Sequence, residues 1–524
     1  FVLTISSAND DPVASDDSGS ATEAGGVTNG TTGSSASGNV LTNDSDNDTG
    51  DTKAVAAIRS GSTEGSGTAG TLGNALAGNY GSLTINSDGS YSYSIDENNA
   101  SVEALANGET ITDTFNYTVA DSQSATDIAL LTVTITGSND APVITNGPDT
   151  ASLTETDSAL TTSGTLTVGD VDTTDVITST ISGLVVSGTS NRSDSAAPSD
   201  AELLAMLTIT PTATLNGTET SKTLNWSFDS GSELFDYLAT GETLILTYSV
   251  TATDDDGTPL TDSETLTLTI TGSNDDPVIT GGAYSNGITE SNSALSDSGS
   301  FTIGDVDTSD VITSARTLVV SGTSNRSDSA APSDAELLAM LTITPTATLN
   351  GTETSKTLNW SFDSGSELFD YLATGETLIL TYSVTATDDD GTPLTDSETL
   401  TLTITGSNDD PVITGGAYSN GITESNSALS DSGSFTISDV DTSDVISATR
   451  TLVVSGTSDR TDSAALADST LLSMLTVTAT PVSGSSNNGT LNWSFDSGAE
   501  TFDYLATGET LILTYSVTTA DDDG

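Results

Sequence analysis

Acidic side chains recur at fixed spacings along this chain, and their chemistry stands out from the rest of the sequence. The marker Gly-Ser-Asn-Asp-(Ala/Asp)-Pro-Val-Ile-Thr begins at Gly137, Gly272 and Gly406. An Asp-rich turn precedes each copy, and an early Glu followed by an Asp-x-Asp-x-x-Asp turn comes after it. Calcium takes about six to eight oxygen ligands, whereas magnesium needs a tighter octahedral arrangement. The spacing therefore predicts calcium sites at the markers.

The candidate ligands are the acidic residues of these turns, the early Glu residues and the Asn-Asp pairs of the markers. They are Glu23, Asp44, Asp46, Asp48, Asp51, Asp121, Asn139, Asp140, Glu155, Asp170, Asp172, Asp175, Asp254, Asp256, Asn274, Asp275, Glu290, Asp305, Asp307, Asp310, Asp388, Asp390, Asn408, Asp409, Glu424, Asp439, Asp441 and Asp444. Asp and Asn also form good turns without any ion, so that alternative stays open. The formal net charge of −66 favours bound cations, because self-repulsion of that size strains a compact state.

Composition excludes several function classes. The chain has no Cys and no His, which removes disulfides, thiolate chemistry and the commonest general base. Its negative charge disfavours binding to nucleic acid, and it has no apolar run long enough to insert into a membrane. The carboxylate turns repeat along the chain, whereas an enzyme usually has one active site. We therefore expect no catalytic activity.

Internal repeats set the expected domain organisation. Successive markers lie 135 and 134 residues apart, and a degenerate copy begins at Ser7. Residues 184–303 recur unchanged at 318–437. A unit of this length is a whole domain. We expect the final strand of a preceding repeat at 1–8, β-sandwich repeats at 9–138, 139–273 and 274–407, and a fourth repeat without its last strand at 408–524.

The fold class follows from the alternation within each unit. Residues 266–271 alternate Leu or Ile with Thr, which is typical of a half-buried antiparallel strand. The pattern predicts an all-β chain of tandem Ig-like or cadherin-like sandwiches arranged as beads on a string. Short helical turns are expected at 200–207, capped by Ser199 or Asp200, and at 233–238. Trp226 and its two copies are expected in the core, because their neighbours on the same face are apolar.

Two motifs carry a family resemblance. Residues 80–93 read Tyr-Gly-Ser-Leu-Thr-Ile-Asn-Ser-Asp-Gly-Ser-Tyr-Ser-Tyr, and residues 132–143 read Thr-Val-Thr-Ile-Thr-Gly-Ser-Asn-Asp-Ala-Pro-Val. Together they resemble the VCBS repeat of large bacterial surface adhesins and RTX-type secreted proteins. The later units keep only the terminal half of this pattern. The marker with its acidic turns is similar to the cadherin linker, in which two domains and an Asn-Asp segment share calcium.

The resemblance implies type I secretion, an extracellular location on the bacterial surface or in a secreted matrix, and a role in adhesion or biofilm. With the repeats, it favours a structural extender stiffened by calcium at the joints. The expected partners are calcium ions and neighbouring repeats, together with other copies of the chain if the filament alternative holds. One alternative is a filament subunit, with residues 1–6 donated to another copy. A second alternative is a repeated glycan- or protein-binding module.

Overall fold

The computed structural model describes residues 1–194, 196–307, 310–327, 330–346, 348–350, 353–441, 444–479 and 488–522. The chain forms two compact units, Phe1–Ser273 and Asn274–Gly524. Each unit is built almost entirely from β-strands that pair into sheets. The expectation of tandem β-sandwiches is confirmed.

The first sandwich consists of two four-stranded sheets, ordered β1-β8-β7-β3 and β2-β6-β5-β4. Its strands are β1 Asp17–Thr22, β2 Ala36–Asn39, β3 Ala54–Ser60, β4 Leu76–Ala77, β5 Gly81–Ile85, β6 Ser90–Ile95, β7 Thr110–Ala120 and β8 Thr126–Thr136. A short 3-10 turn spans Val27–Asn29. Strand β1 runs parallel to β8, and the other pairs are antiparallel.

The second sandwich completes the first unit with sheets ordered β10-β16-β15-β12 and β13-β14-β11-β9. Its elements are β9 Val143–Thr145, β10 Asp149–Thr154, β11 Thr161–Gly169, β12 Thr178–Gly188, α1 Asp200–Ala205, β13 Leu207–Thr210, β14 Ser221–Asp229, β15 Thr243–Thr253 and β16 Thr261–Thr271. Strand β10 again runs parallel to the last strand of the sandwich, β16.

The second unit repeats this plan. Its third sandwich contains β17 Val278–Thr280, β18 Tyr284–Thr289, β19 Ser296–Gly304, β20 Thr313–Gly322, α2 Asp334–Met340, β21 Leu341–Thr344, β22 Ser355–Asp363, β23 Thr377–Thr387 and β24 Thr395–Thr405. Its fourth contains β25 Val412–Thr414, β26 Ser430–Ser438, β27 Ser447–Gly456, α3 Asp468–Ser473, β28 Leu475–Ala479, β29 Asn488–Asp496 and β30 Leu511–Ala520. In the third sandwich, β18 runs parallel to β24. Among the described residues of the fourth, β30 pairs with β27 alone in a two-stranded sheet.

Alternating side chains explain why these segments form sheets with one dry face. On β15, Leu244, Leu246, Tyr248 and Val250 are fully buried, and the residues between them are partly exposed. Leu246 lies opposite Leu268 on β16, so the two strands present one apolar face. The second sheet of the same sandwich covers this face with residues of β11 and β14. The predicted two-residue period is confirmed.

The tryptophans lie in the cores as expected. Trp226, Trp360 and Trp493 are 3%, 2% and 8% exposed. Gly164 lies against the ring of Trp226, where a Cβ would approach the ring to 2.5 Å. The sheet can accept the indole only because this position has no side chain.

One expected helical turn forms and the other does not. Helix α1 begins after Ser199, whose hydroxyl accepts from the Glu202 N–H while the Glu202 carboxylate accepts from the Ser199 N–H. This is a capping box. The prediction of a helical turn at 233–238 is wrong, because Phe235 has φ of +67° and cannot continue a right-handed helix. This segment is an irregular turn that buries Phe235 and Leu238.

Among the described residues, no helix is long and apolar enough to cross a membrane. Phe1, Leu3 and Ile5 are exposed and belong to no strand. Donation of residues 1–6 to another copy therefore stays a prediction.

Truncating a buried side chain should destabilise one sandwich alone. Leu246→Ala removes fully buried carbons and should cost about 2–5 kcal/mol in the free energy of unfolding. The control Val185→Ala changes a residue that is 65% exposed and should cost less than about 0.5 kcal/mol. Urea unfolding followed by tryptophan fluorescence checks this in a chain that carries Trp360→Phe and Trp493→Phe, so that Trp226 alone reports, and it reports on the second sandwich. Coincident curves for the two variants would contradict the assigned core.

Candidate metal-binding joints

The Asn-Asp pair of each marker docks onto acidic turns of the repeat that follows it. Asn139 Nδ2 donates to Asp254 Oδ2 over 3.2 Å, and the Asp140 N–H donates to Asp172 Oδ2 over 2.7 Å. The same two bonds recur as Asn9 to Asp121 and Asp10 to Asp48, as Asn274 to Asp388 and Asp275 to Asp307, and as Asn408 to Asp521 and Asp409 to Asp441. The chain therefore positions the marker in the same way at every repeat.

The acidic turn after Asn139 gathers three buried carboxylates. Asp170, Asp172 and Asp175 are 5%, 1% and 4% exposed. Burial raises the pKa of Asp170 to about 6, of Asp172 to about 8 and of Asp175 to about 7, and neighbouring acids raise them further. Asp254 and Asp256 of the Asp-rich turn are among the groups that raise the pKa of Asp170 and Asp175. Five predicted residues thus converge.

Residues of the first sandwich supply the other half of this joint. Glu23 is 1% exposed, and its Oε1 accepts the Ser138 N–H over 2.9 Å. Burial raises the pKa of Glu23 to about 8 and of Asp140 to about 7. Glu97, Glu103 and Asp170 all raise the pKa of Asp140, which places Asp140 between the acids of the two sandwiches. The joint therefore combines groups from both repeats.

Buried oxygen atoms without hydrogen-bond donors mark this joint. Within the described residues, no donor reaches Glu23 Oε2, Glu97 Oε2, Asn139 Oδ1, Asp140 Oδ2, Asp170 Oδ2, Asp172 Oδ1, Asp175 Oδ2 or Asp256 Oδ2. Leaving one buried acceptor unpaired costs about 1–3 kcal/mol, and more when the group is charged. All of these atoms are carboxylate or amide oxygens, which is the donor set that calcium prefers. The residues present therefore fit calcium.

The joint around Asn408 in the second unit has the same two acidic sets. One oxygen each of Glu290, Asp370 and Asp409 lies within 4.8 Å of the others. Asp439, Asp441 and Asp444 form a second such group and are all buried. The Ser407 N–H and hydroxyl both donate to Glu290 Oε1 over 2.6 Å, and the Ser138 N–H makes the matching backbone bond to Glu23 Oε1.

Some of the residues predicted around Asn274 belong to the second unit, and others belong to the first. In the second unit, Asp305, Asp307 and Asp310 are buried, with one oxygen of each within 4.8 Å of the others. Burial raises the pKa of Asp307 to about 8. The charges of Asp388 and Asp390 raise the pKa of Asp305 further. In the first unit, Glu155 is fully buried, and its Oε2 accepts the Ser273 N–H over 2.8 Å.

Only some of the candidate ligands in the first repeat lie close together. Asp46, Asp51 and Asp121 form a group with one oxygen each within 4.8 Å, and Asp48 accepts the Asp10 N–H. Asp44 has a different role. Its Oδ1 accepts the Ser15 N–H over 2.8 Å, and Lys53 donates to its backbone carbonyl.

The reason for the different role of Asp44 is its register. The marker bonds match Asp48 to Asp172, so Asp46 corresponds to Asp170 and Asp44 to the buried core residue Val168. The described structure therefore does not gather Asp44 with the other candidate ligands. Glu424 is also outside these groups, because it is exposed, whereas the corresponding Glu155 and Glu290 are buried.

Sequence reasoning missed four acids that the joints contain. They are Glu97, Glu103, Asp236 and Asp370. Asp236 lies in the segment 233–238 that was expected to be helical, and Asp370 lies in the copy of that segment. Each occurs just before the repeated Tyr-Leu-Ala-Thr-Gly-Glu sequence. This constant position in the repeat is the feature of the sequence that could have identified Asp236 and Asp370 as candidate ligands.

Stability without divalent ions should fall as pH rises. The folded chain holds Asp172, Asp175 and Asp140 at pKa values of about 7 to 8, above the value of about 4 in an unfolded chain. Raised pKa values favour the protonated, folded state, so this stabilisation is complete below about pH 4 and is lost as pH rises through 6 to 8. In EDTA, the melting temperature should therefore decrease from about pH 5.5 to pH 8.

The control for this prediction is a matched pair of variants. Asp172→Asn removes one of the titrating groups and should reduce the pH slope. Glu64→Gln makes the same charge change at an exposed loop residue and should leave the slope unchanged. A melting temperature that rises over this interval in EDTA would contradict the buried acids.

Comparisons with known proteins identify a similarity in one part of the chain. The family model of the bacterial cadherin-like domain matches residues 9–137. No curated protein sequence matches the chain. Solved structures similar to it include the protocadherin gammaB4 extracellular domain, at 14% identity over 99% of this chain and 68% of that chain, with a TM-score of 0.37. Another is human CDH23 EC21-23, at 14% identity over 75% of this chain and 100% of that chain, with a TM-score of 0.34. These TM-scores are too low to support an argument beyond the strands themselves. The family match shows that residues 9–137 are similar to a bacterial cadherin-like domain.

Proposed function

We propose that this chain is a non-catalytic extracellular extender whose joints bind calcium and thereby become stiff. The observation that carries the proposal is the set of buried oxygens around Asn139 that accept no hydrogen bond from the described residues. The similarity of residues 9–137 to a bacterial cadherin-like domain supports a module of the extender or adhesion type.

The joint would become stiff because its ligands come from two sandwiches. Glu23 and Glu97 belong to the first sandwich, whereas Asp170 and Asp172 belong to the second, and Asp140 lies between them. A calcium ion bound to both sets would link them and neutralise like charges that repel each other at short range. Without the ion, the same charges favour separation of the two sandwiches.

The repeats support a role in which length matters more than a specific binding surface. We propose repeat boundaries at 9–138, 139–273, 274–407 and 408–524, because each hydrophobic core draws its residues from one of these ranges. Residues 184–303 and 318–437 are identical, which a spacer tolerates and a single binding site does not require. We place the extender on the bacterial surface or in a secreted matrix, as part of an adhesin.

Calcium binding should depend on the buried acids of the joint. Isothermal titration of the calcium-free chain should show several tight sites, and Asp172→Asn should lose the tight binding of one joint, because that carboxylate bears an orphaned buried oxygen. Glu64→Gln serves as the control, since it removes the same charge from an exposed loop. Small-angle scattering should show a longer, stiffer particle in calcium than in EDTA.

Two results would contradict the proposal. One is a scattering profile that does not change when calcium is removed. The other is equal calcium binding by Asp172→Asn and wild type. Binding of calcium without a change in scattering would retain the sites and exclude the stiffening role.

A further inference from the structure

Three sandwiches pair their first long strand with their last strand in parallel. Asp17–Thr22 pairs with Leu131–Thr136, Asp149–Thr154 with Leu266–Thr271, and Tyr284–Thr289 with Leu400–Thr405. All other strand pairs in these sandwiches are antiparallel. The parallel pair therefore joins the two strands through which the chain enters and leaves each sandwich.

Parallel pairing determines how tension acts on the hydrogen bonds. The chain enters at the start of one strand and leaves at the end of the other, so pulling on the chain slides the two strands past each other along their length. All bonds of the pair then carry load together. An antiparallel hairpin pulled at its open end instead loses its bonds one at a time. We propose that these three pairs are shear clamps that make each sandwich resist stretching of the chain.

The leaving strand is held on both sides within its sheet. In the second sandwich, β16 lies between β10 and β15, and it pairs with β15 from Thr261 to Thr271. On the entry side, the short strand β9 precedes β10, and its three residues pair with β11. Tension would therefore release β9 first and load the β10–β16 pair next.

A side chain anchors the first residue of each clamp strand. Asp17 accepts from the Tyr117 hydroxyl over 2.7 Å, and Asp149 accepts from the indole Nε1 of Trp226 over 2.8 Å. Tyr284 packs against Trp360 with ring centroids 4.8 Å apart, and its hydroxyl donates to Asp297 over 3.0 Å. Three different residue pairs thus fix the same position, where peeling of the strand would begin.

A hydrogen bond just after the end of β10 shows which of its backbone N–H groups face β16. The Glu155 N–H donates to the Thr271 carbonyl. Because N–H groups on a strand alternate sides, those of Leu153 and Ala151 also face β16, whereas that of Ser152 faces away. The Glu290 N–H makes the matching bond to Thr405, so Asn286 in β18 corresponds to Ala151.

Single-molecule stretching of the full chain by its two ends tests the clamps. We expect three high-force unfolding events, each releasing about 400 Å for the roughly 120 residues between the clamp strands. The fourth sandwich, in which the described residues form no parallel pair, should open at lower force. The three events should persist in EDTA, because backbone hydrogen bonds carry the load. Loss of all three in EDTA would overturn the clamps while leaving calcium stiffening intact.

Proline substitutions give a matched pair within one strand. Ala151→Pro removes an N–H that faces β16 and should reduce one of the three peak forces to about half, because proline cannot donate to the ladder. Ser152→Pro inserts the same ring where the N–H faces away and should leave all three peaks unchanged. The two unaltered sandwiches act as internal references in each trace.

Asn286→Pro repeats the test in the third sandwich and should weaken one event to the same extent. Circular dichroism establishes that each variant folds. Equal effects of Ala151→Pro and Ser152→Pro, or no effect of Ala151→Pro and Asn286→Pro, would overturn the proposal.

Discussion

Repulsion between buried carboxylates is the constraint on which the joints of this molecule depend. Glu23, Asp140 and Asp172 are each less than 5% exposed, and burial raises the pKa of each to about 7 or 8. Burying an uncompensated charge is costly in any fold. The chain nevertheless positions these groups with backbone donors such as the Ser138 N–H. The fold therefore holds these carboxyl groups in an arrangement whose negative charge must be neutralised, by a bound cation or by protons.

The sandwiches are stabilised by interactions different from those of the joints. Their cores contain alternating apolar residues such as Leu246 and Leu268, and their clamp strands rely on backbone hydrogen bonds. Neither depends on the acidic turns. If the joints bind calcium as proposed, the ion content of the surroundings would govern bending between repeats, whereas the resistance of a repeat to stretching would depend on its own strands.

The sequence predicts the sandwiches well because a two-residue period reports directly on which face of a strand is buried. It predicts most joint residues because the Asn-Asp pair and the acidic turns keep constant spacing. It fails at residues 233–238, where apolar residues at helical spacing occupy a turn set by the positive φ of Phe235. It also fails at Asp44, because Asp44 occupies the position of the core residue Val168, two residues before the acidic turn begins at Asp46. Asp236 was missed because folding of the first unit brings it near Glu155, which is far from it in the sequence.

The exact copy within the sequence begins in β12 of one sandwich and ends in β19 of the next. It therefore does not coincide with a domain, and it contains the Asp-rich turn, the Asn-Asp pair and the early Glu in one piece. Recombination between such copies joins half of one sandwich to the matching half of another and leaves every junction with a full set of these groups. Repeats could therefore be lost or gained in this register, and each resulting protein would keep the acidic groups at every joint.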